Sequence, residues 1–206
     1  MANSAEELAA INLPDVNIAT WKRPQLHTLE SKLRLVSWPS MLGISGTFLK
    51  NKPDQSFEQL QFELNNILSF LNNDEKNELI QDVMENTSLF FHSFSDNANS
   101  FKYELSVINE VMCPKFHMDY YQMRLIVTYV GDGTEWTTND NIELDGQGKP
   151  VQPIIIIDPD NYHRVEPMSV TLLKGNQYKP GHLGVVHRSP SKSDCQGERL
   201  LLRFDA

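Results

Sequence analysis

Near residue 100 the texture of this chain changes, and that change constrains the fold more than any single motif. Before it, Phe57, Leu60, Leu64, Ile67, Leu68 and Leu71 recur at three- and four-residue spacing and form one apolar helical stripe. A second stripe, Leu79, Ile80, Val83, Met84 and Leu89, follows Asn72 and Asn73, with Asp74 placed as a helix N-cap. After it come short apolar runs, MRLIVTYV, IIIID, SVTLLKG, LGVVHRSP and ERLLLRFDA. Each has strand length and β-branched enrichment, and each is closed by Gly, Pro, Asp or Asn. Helices first and strands afterwards predict an α+β fold, its helices covering one side of an antiparallel sandwich or barrel. Both helical stripes read as core packing.

The expected organisation is a single domain over 1–206, with an irregular wrap and a short helix (QLHTLESKLRLVSW) in 1–56, a helical layer in 57–95 and a β-rich core in 100–206. Prolines at 14, 24, 39 and 53 interrupt periodicity in the first part. The polar stretch NDNIELDGQGKPVQP, residues 139–153, reads as a long loop of the kind that borders sites. Gly131-Asp132-Gly133 reads as a hairpin turn.

A formal net charge of -9 argues against nucleic acid or an anionic membrane as partner, since no basic stripe exists to neutralise phosphates. The expected partner is a small molecule. The amino-terminal MANSAEELAAINLPDV is acidic and lacks the features of a secretory signal, and no stretch approaches a membrane span, so a cytoplasmic location is expected. The 2 cysteines, Cys113 and Cys195, are too few for a disulfide framework and read as free thiols, with Cys113 four residues before a histidine of interest.

That histidine, His117, stands two residues before Asp119. In an extended segment the two side chains point the same way, roughly 7 Å apart along the chain, so both can reach one ion. His187, at the end of an apolar run, supplies a distant third ligand. Two histidines and a carboxylate are the composition of a facial triad, whose usual occupant is iron(II). Arg199 and Arg203 share a strand face beyond His187, and a guanidinium grips a carboxylate with two parallel hydrogen bonds. Arg124 shares a face with Ile126, Thr128 and Val130, so it must be paired or face a cavity, either orienting Asp119 or binding an acidic substrate. His163 and His182 fall in loops, and His27 and His92 fall in helical segments without ligand-spaced partners. No nucleophile elbow, dinucleotide fingerprint, phosphate loop or paired C-x-x-C is present.

The order FHMD, RLIVTYVGDGTEW, LLKG, GVVHRSP, RLLLRFD, over roughly residues 113–206, resembles an uncharacterised bacterial family, a domain of unknown function with FHxD, RLxxTYxGxGTxW, KG, HRSP and RLLLxxD elements. That family is similar in motif order to iron(II)/2-oxoglutarate oxygenases of the double-stranded β-helix, or jelly-roll and cupin-like, fold. The resemblance implies metal ligation by His117, Asp119 and His187, and cofactor binding by Arg199, Arg188 or Arg203. It also implies site roles for Arg124 and Trp136, with Fe(II) and 2-oxoglutarate as cofactors. Arg203 departs from the pattern, standing where a smaller or apolar residue is expected. The gene company of such domains, beside zinc-responsive metal-handling GTPases, implies an alternative: a zinc-binding accessory protein in metal homeostasis. A cupin-like small-molecule binder and a metal-free structural role for the three polar residues are further alternatives.

Overall fold

The chain runs through β1 (Ile18–Trp21), α1 (His27–Leu33), β2 (Gly43–Leu49), α2 (Pro53–Ile67), α3 (Asn73–Ser93), β3 (Ser100–Ile108), β4 (Met123–Val130), β5 (Glu135–Thr137), β6 (His163–Arg164), β7 (Val170–Lys174), β8 (Val186–Arg188) and β9 (Arg199–Asp205). This is a computed structural model that describes residues 4–93, 99–110, 112–190 and 198–206. Six strands form one antiparallel sheet in the order β1-β7-β4-β9-β3-β2, and three form a second in the order β6-β5-β8. No helix among the described residues is long and apolar enough to cross a membrane.

Helix α2 opens on Pro53, which suits the first helical turn because the missing N–H has no partner there. Helix α3 is capped by Asn72, whose Oδ1 accepts the Glu75 amide at 3.0 Å, so the cap lies two residues before the expected Asp74. The stripes of α2 and α3 bury Leu60, Leu64, Leu79 and Val83 against the large sheet. Alternation in β3 places Phe101, Tyr103, Leu105 and Val107 on that face, opposite Phe204, Leu202 and Leu200 of β9. Phe48 of β2 stacks on Phe101 with ring centroids 4.7 Å apart. Tyr103 crosses β2 above Gly46 to donate its hydroxyl to Glu63 Oε2 at 2.8 Å, and a Cβ at Gly46 would stand 2.3 Å from that hydroxyl.

The expected wrap over 1–56 is corrected in part. It contains the short helix, now α1, but also β1 and β2, the two edges of the large sheet. Each gains its strand identity from a distant partner, β1 from β7 and β2 from β3, so local periodicity did not reveal them. The Gly-Asp-Gly turn is not a hairpin: it carries the chain from β4 in one sheet to β5 in the other, with Gly131 at φ +84°. IIIID contributes an isolated bridge between Ile142 and Ile156 rather than a strand, within a loop organised by Asn141. The Asn141 amide donates to Thr137 Oγ1, Asp158 O and Asn161 O.

The other face of the large sheet carries Arg124, Ile126 and Thr128 of β4 beside Asp205, Arg203 and Leu201 of β9. A bulge between Thr128 and Val130 removes Val130 from this face and pairs it with Leu200 on the helical side. Ile108, Ile126, Leu173, Val185 and Leu201 form a small second core here, between the sheets.

Candidate metal centre

The segment before β4 is clamped from two sides. His117 and His187 exchange both backbone hydrogen bonds, each 2.9 Å, in a single bridge to β8. On the other side the loop after β7 donates from Gly175 N to Gln122 O, from Asn176 N to Asp119 O and from Gln177 N to Tyr121 O. That approach needs a glycine: a Cβ at position 175 would stand 2.1 Å from the Tyr121 carbonyl oxygen. The KG element seen in the sequence therefore serves the segment that bears Asp119.

With the backbone held so, one ligand atom each from His117, Asp119 and His187 all lie within 4.8 Å of one another. The imidazole centroids are 4.5 Å apart. His117 Nδ1 is 2.9 Å from the Lys115 carbonyl, and His187 Nδ1 is 3.2 Å from that of Val185. With each Nδ1–H donating to a carbonyl, each ring is turned so that Nε2 is the atom presented to Asp119 or to an ion, the arrangement that orients histidines at metal sites. Both Nε2 atoms turn to Asp119, His187 at 3.2 Å from Oδ2 and His117 at 3.7 Å from Oδ1.

Arg124 is buried and bridges two carboxylates, donating from Nη1 to Asp119 Oδ2 and from Nε to Asp205 Oδ1. Its guanidinium carbon stands 4.6 Å from the Tyr121 ring centroid. Asp205 is 3.2 Å from Arg203 Nε, and Arg203 Nη2 donates to Glu104. Charges thus alternate from Glu104 through Arg203, Asp205 and Arg124 to Asp119, across β3, β9 and β4. Burial alone would raise the Asp119 pKa, but the His187 hydrogen bond and the charges of His187, Arg124 and His117 outweigh it and hold the carboxyl at about 2. Burial first, and then the neighbouring His187, lower the pKa of His117. Both groups are therefore in their ligating forms near neutral pH.

A cavity of about 60 Å³ adjoins the cluster, lined by His117, His187 and four arginines, Arg124, Arg188, Arg199 and Arg203, with Cys113 and Ser189 at its wall. The expected candidates thus gather in one place, with one exception. Trp136 pairs in register with His187 but packs beside the second core, its ring 4.6 Å from that of His163, and is not among the described residues lining the cavity. His182 lies away from the cluster, against Tyr178. Cys113 is exposed, and its carbonyl accepts the Ser189 amide at 3.0 Å. Cys195 lies outside the described residues.

Glu135 and Glu104 carry no motif signal, and the sequence suggests Asp205 only as an ion-pair partner of Arg199 or Arg203. Glu135 is fully buried in β5 and receives Arg164 Nη2 at 2.5 Å and Arg188 Nε at 2.7 Å. A carboxylate inside a short β-run was a usable signal, because a buried charge needs a partner.

Comparison with solved structures gives likenesses at low identity. The IDO of Bacillus thuringiensis is 12% identical, with TM-score 0.48, covering 98% of this chain and 97% of its own. A Pseudomonas putida prolyl-4-hydroxylase is 7% identical, with TM-score 0.43 and coverages of 98% and 97%. A full-length Neurospora crassa protein, solved in complex with alpha-KG, is 15% identical, with TM-score 0.41 and coverages of 98% and 78%. No curated protein matches the chain. A family model does match, over residues 2–205, and the chain belongs to that family, described as a protein of unknown function (DUF1826).

Proposed function

We propose that this chain is a metal-dependent oxidoreductase in which His117, Asp119 and His187 hold iron(II) and Arg199 holds the distal carboxylate of 2-oxoglutarate. The carrying observation is the convergence of the three ligand atoms within 4.8 Å of one another, with both histidines in the wall of an arginine-lined cavity. Both imidazoles have Nδ1 against a carbonyl, which frees Nε2 for the ion. Two nitrogens and one carboxylate oxygen fit a facial triad, and an ion so held supplies oxidative chemistry at its open positions. Arg124 keeps Asp119 ionised and oriented. Arg199 is buried in the cavity wall on the strand face that carries Leu201 and Arg203. In this reading the two sheets are the walls of a double-stranded β-helix, and the substrate is a small molecule.

The same donor set accepts zinc with one position left for water, which supports the second reading, a zinc-binding protein without oxidative chemistry. Anaerobic titration of metal-free protein with iron(II), then 2-oxoglutarate, separates the two. A visible charge-transfer band that His187→Ala abolishes is the expected result. No band, together with tight zinc binding lost in the same variant, overturns the oxygenase reading in favour of zinc.

A further inference from the structure

The arginines around the cavity are not equivalent. Arg124 directs two of its nitrogens to Asp205 and Asp119, and Arg203 is engaged by Glu104 and Asp205. Arg188 is held differently. Its Nε donates to Glu135 Oε2 at 2.7 Å, and its guanidinium carbon stands 4.3 Å from the Phe116 ring centroid and 5.3 Å from that of Tyr162. Among the described residues, no acceptor is bonded to either of its Nη atoms. Its side chain is 23% exposed and that of Glu135 is 0% exposed, so the anchor is buried while the arginine reaches the rim.

Such a guanidinium is fixed along one edge and over its faces, and its outer fork is open. Glu135 is shared with Arg164, so one carboxylate faces two guanidinium charges. Asp132, 3.7 Å from Arg164, offsets that arginine rather than Arg188. A pre-ordered fork matches the two oxygens of a carboxylate, phosphate or sulfate group and loses little side-chain freedom on binding one. The rings of Phe116 and Tyr162 are covered by the guanidinium, which leaves this corner as an anion subsite rather than a stacking platform.

We propose that the Nη edge of Arg188 binds an oxyanion group of the substrate, a carboxylate or a phosphate or sulfate ester, at the rim of the cavity that His117 and His187 line. Assigning the anion to the substrate rests on the oxygenase reading, in which Arg199 serves the ketoacid; the anion subsite itself does not.

The test is calorimetric titration of the metal-free full chain with sulfate and, separately, with acetate. Metal-free protein keeps either probe from binding an ion instead. Saturable binding is expected, weakened about tenfold or more in Arg188→Gln and less in Arg188→Lys, which keeps the charge beside Glu135 but not the fork. Preference for sulfate points to an ester, preference for acetate to a carboxylate. In the iron-loaded protein, Arg188→Gln should leave the 2-oxoglutarate affinity unchanged. Absence of saturable binding, or full affinity in a folded Arg188→Lys or Arg188→Gln, overturns the subsite. Loss of 2-oxoglutarate affinity in Arg188→Gln overturns the substrate assignment and gives Arg188 to the ketoacid. Arg188-dependent sulfate binding without any ketoacid complex keeps the subsite and rejects the oxygenase reading.

Discussion

The two faces of the large sheet each bury an arginine against an aspartate, and they use the pair differently. On the helical face Arg23 bonds both oxygens of Asp82, and Tyr129 and Asn86 donate to the same carboxylate. Arg23 Nε also donates to the Met168 carbonyl at 2.7 Å, so the network closes on itself. On the other face Arg124 binds Asp119, but Asp119 Oδ1 has His117 Nε2 only at 3.7 Å, beyond hydrogen-bond reach. A closed network is a structural joint between helix and sheet. One that leaves lone pairs converging on a point is a site for something else.

The largest difference between the two faces is expected at Asp82. Replacing it by alanine strands the Arg23 charge inside the protein, and a loss of about 3–5 kcal/mol in denaturant unfolding is expected, with the ratio of iron to zinc affinity unchanged in whatever remains folded. His187→Ala should show the reverse pattern: metal affinity falls by about 100-fold or more in equilibrium dialysis, while stability of the metal-free protein falls less than in Asp82→Ala. If both variants lose mainly stability, the two faces are the same kind of joint.

Smaller effects sharpen the contrast. Asp205→Asn weakens the hold on Arg124 without touching a ligand, so metal affinity should fall about tenfold, read by competition with a chelator. An unchanged affinity would mean that the charge chain through Arg124 does not orient Asp119. The smallest effect is in pH. Burial and His187 lower the pKa of His117 from its ordinary 6.5. The stability this contributes is therefore present above that value and lost as pH falls through the lower folded one. Melting of metal-free protein should drop between about pH 7 and pH 5, and less so in His117→Gln; equal slopes would contradict the depressed value.

Much of the helical half was legible because α2 and α3 carry their own periodicity, and burial of one stripe needs only a surface to lie on. Strand β3 carries the same kind of signal, since Phe101, Tyr103, Leu105 and Val107 alternate with polar residues, but its run is less apolar than that of β4. The triad was legible in part: His117 and Asp119 are two apart, and an ordered motif series pointed to His187. Glu135 was not, because a carboxylate in a strand declares a need for a partner without naming it. Trp136 was expected near the cavity from its motif, and register instead set it beside the second core.

The helix-then-strand order, the histidine and aspartate that can share an ion, and the family are readable along the chain, because they depend on residues near one another in sequence or on motif order. Folding in three dimensions was needed to show that 1–56 supplies both edges of the large sheet, that Gly175 pins the Asp119 segment, and that Arg188 has its Nε anchored on Glu135 with its fork unbonded among the described residues. Strand pairing and ion pairing over separations of tens of residues are set by which surfaces meet, and no local pattern encodes that meeting.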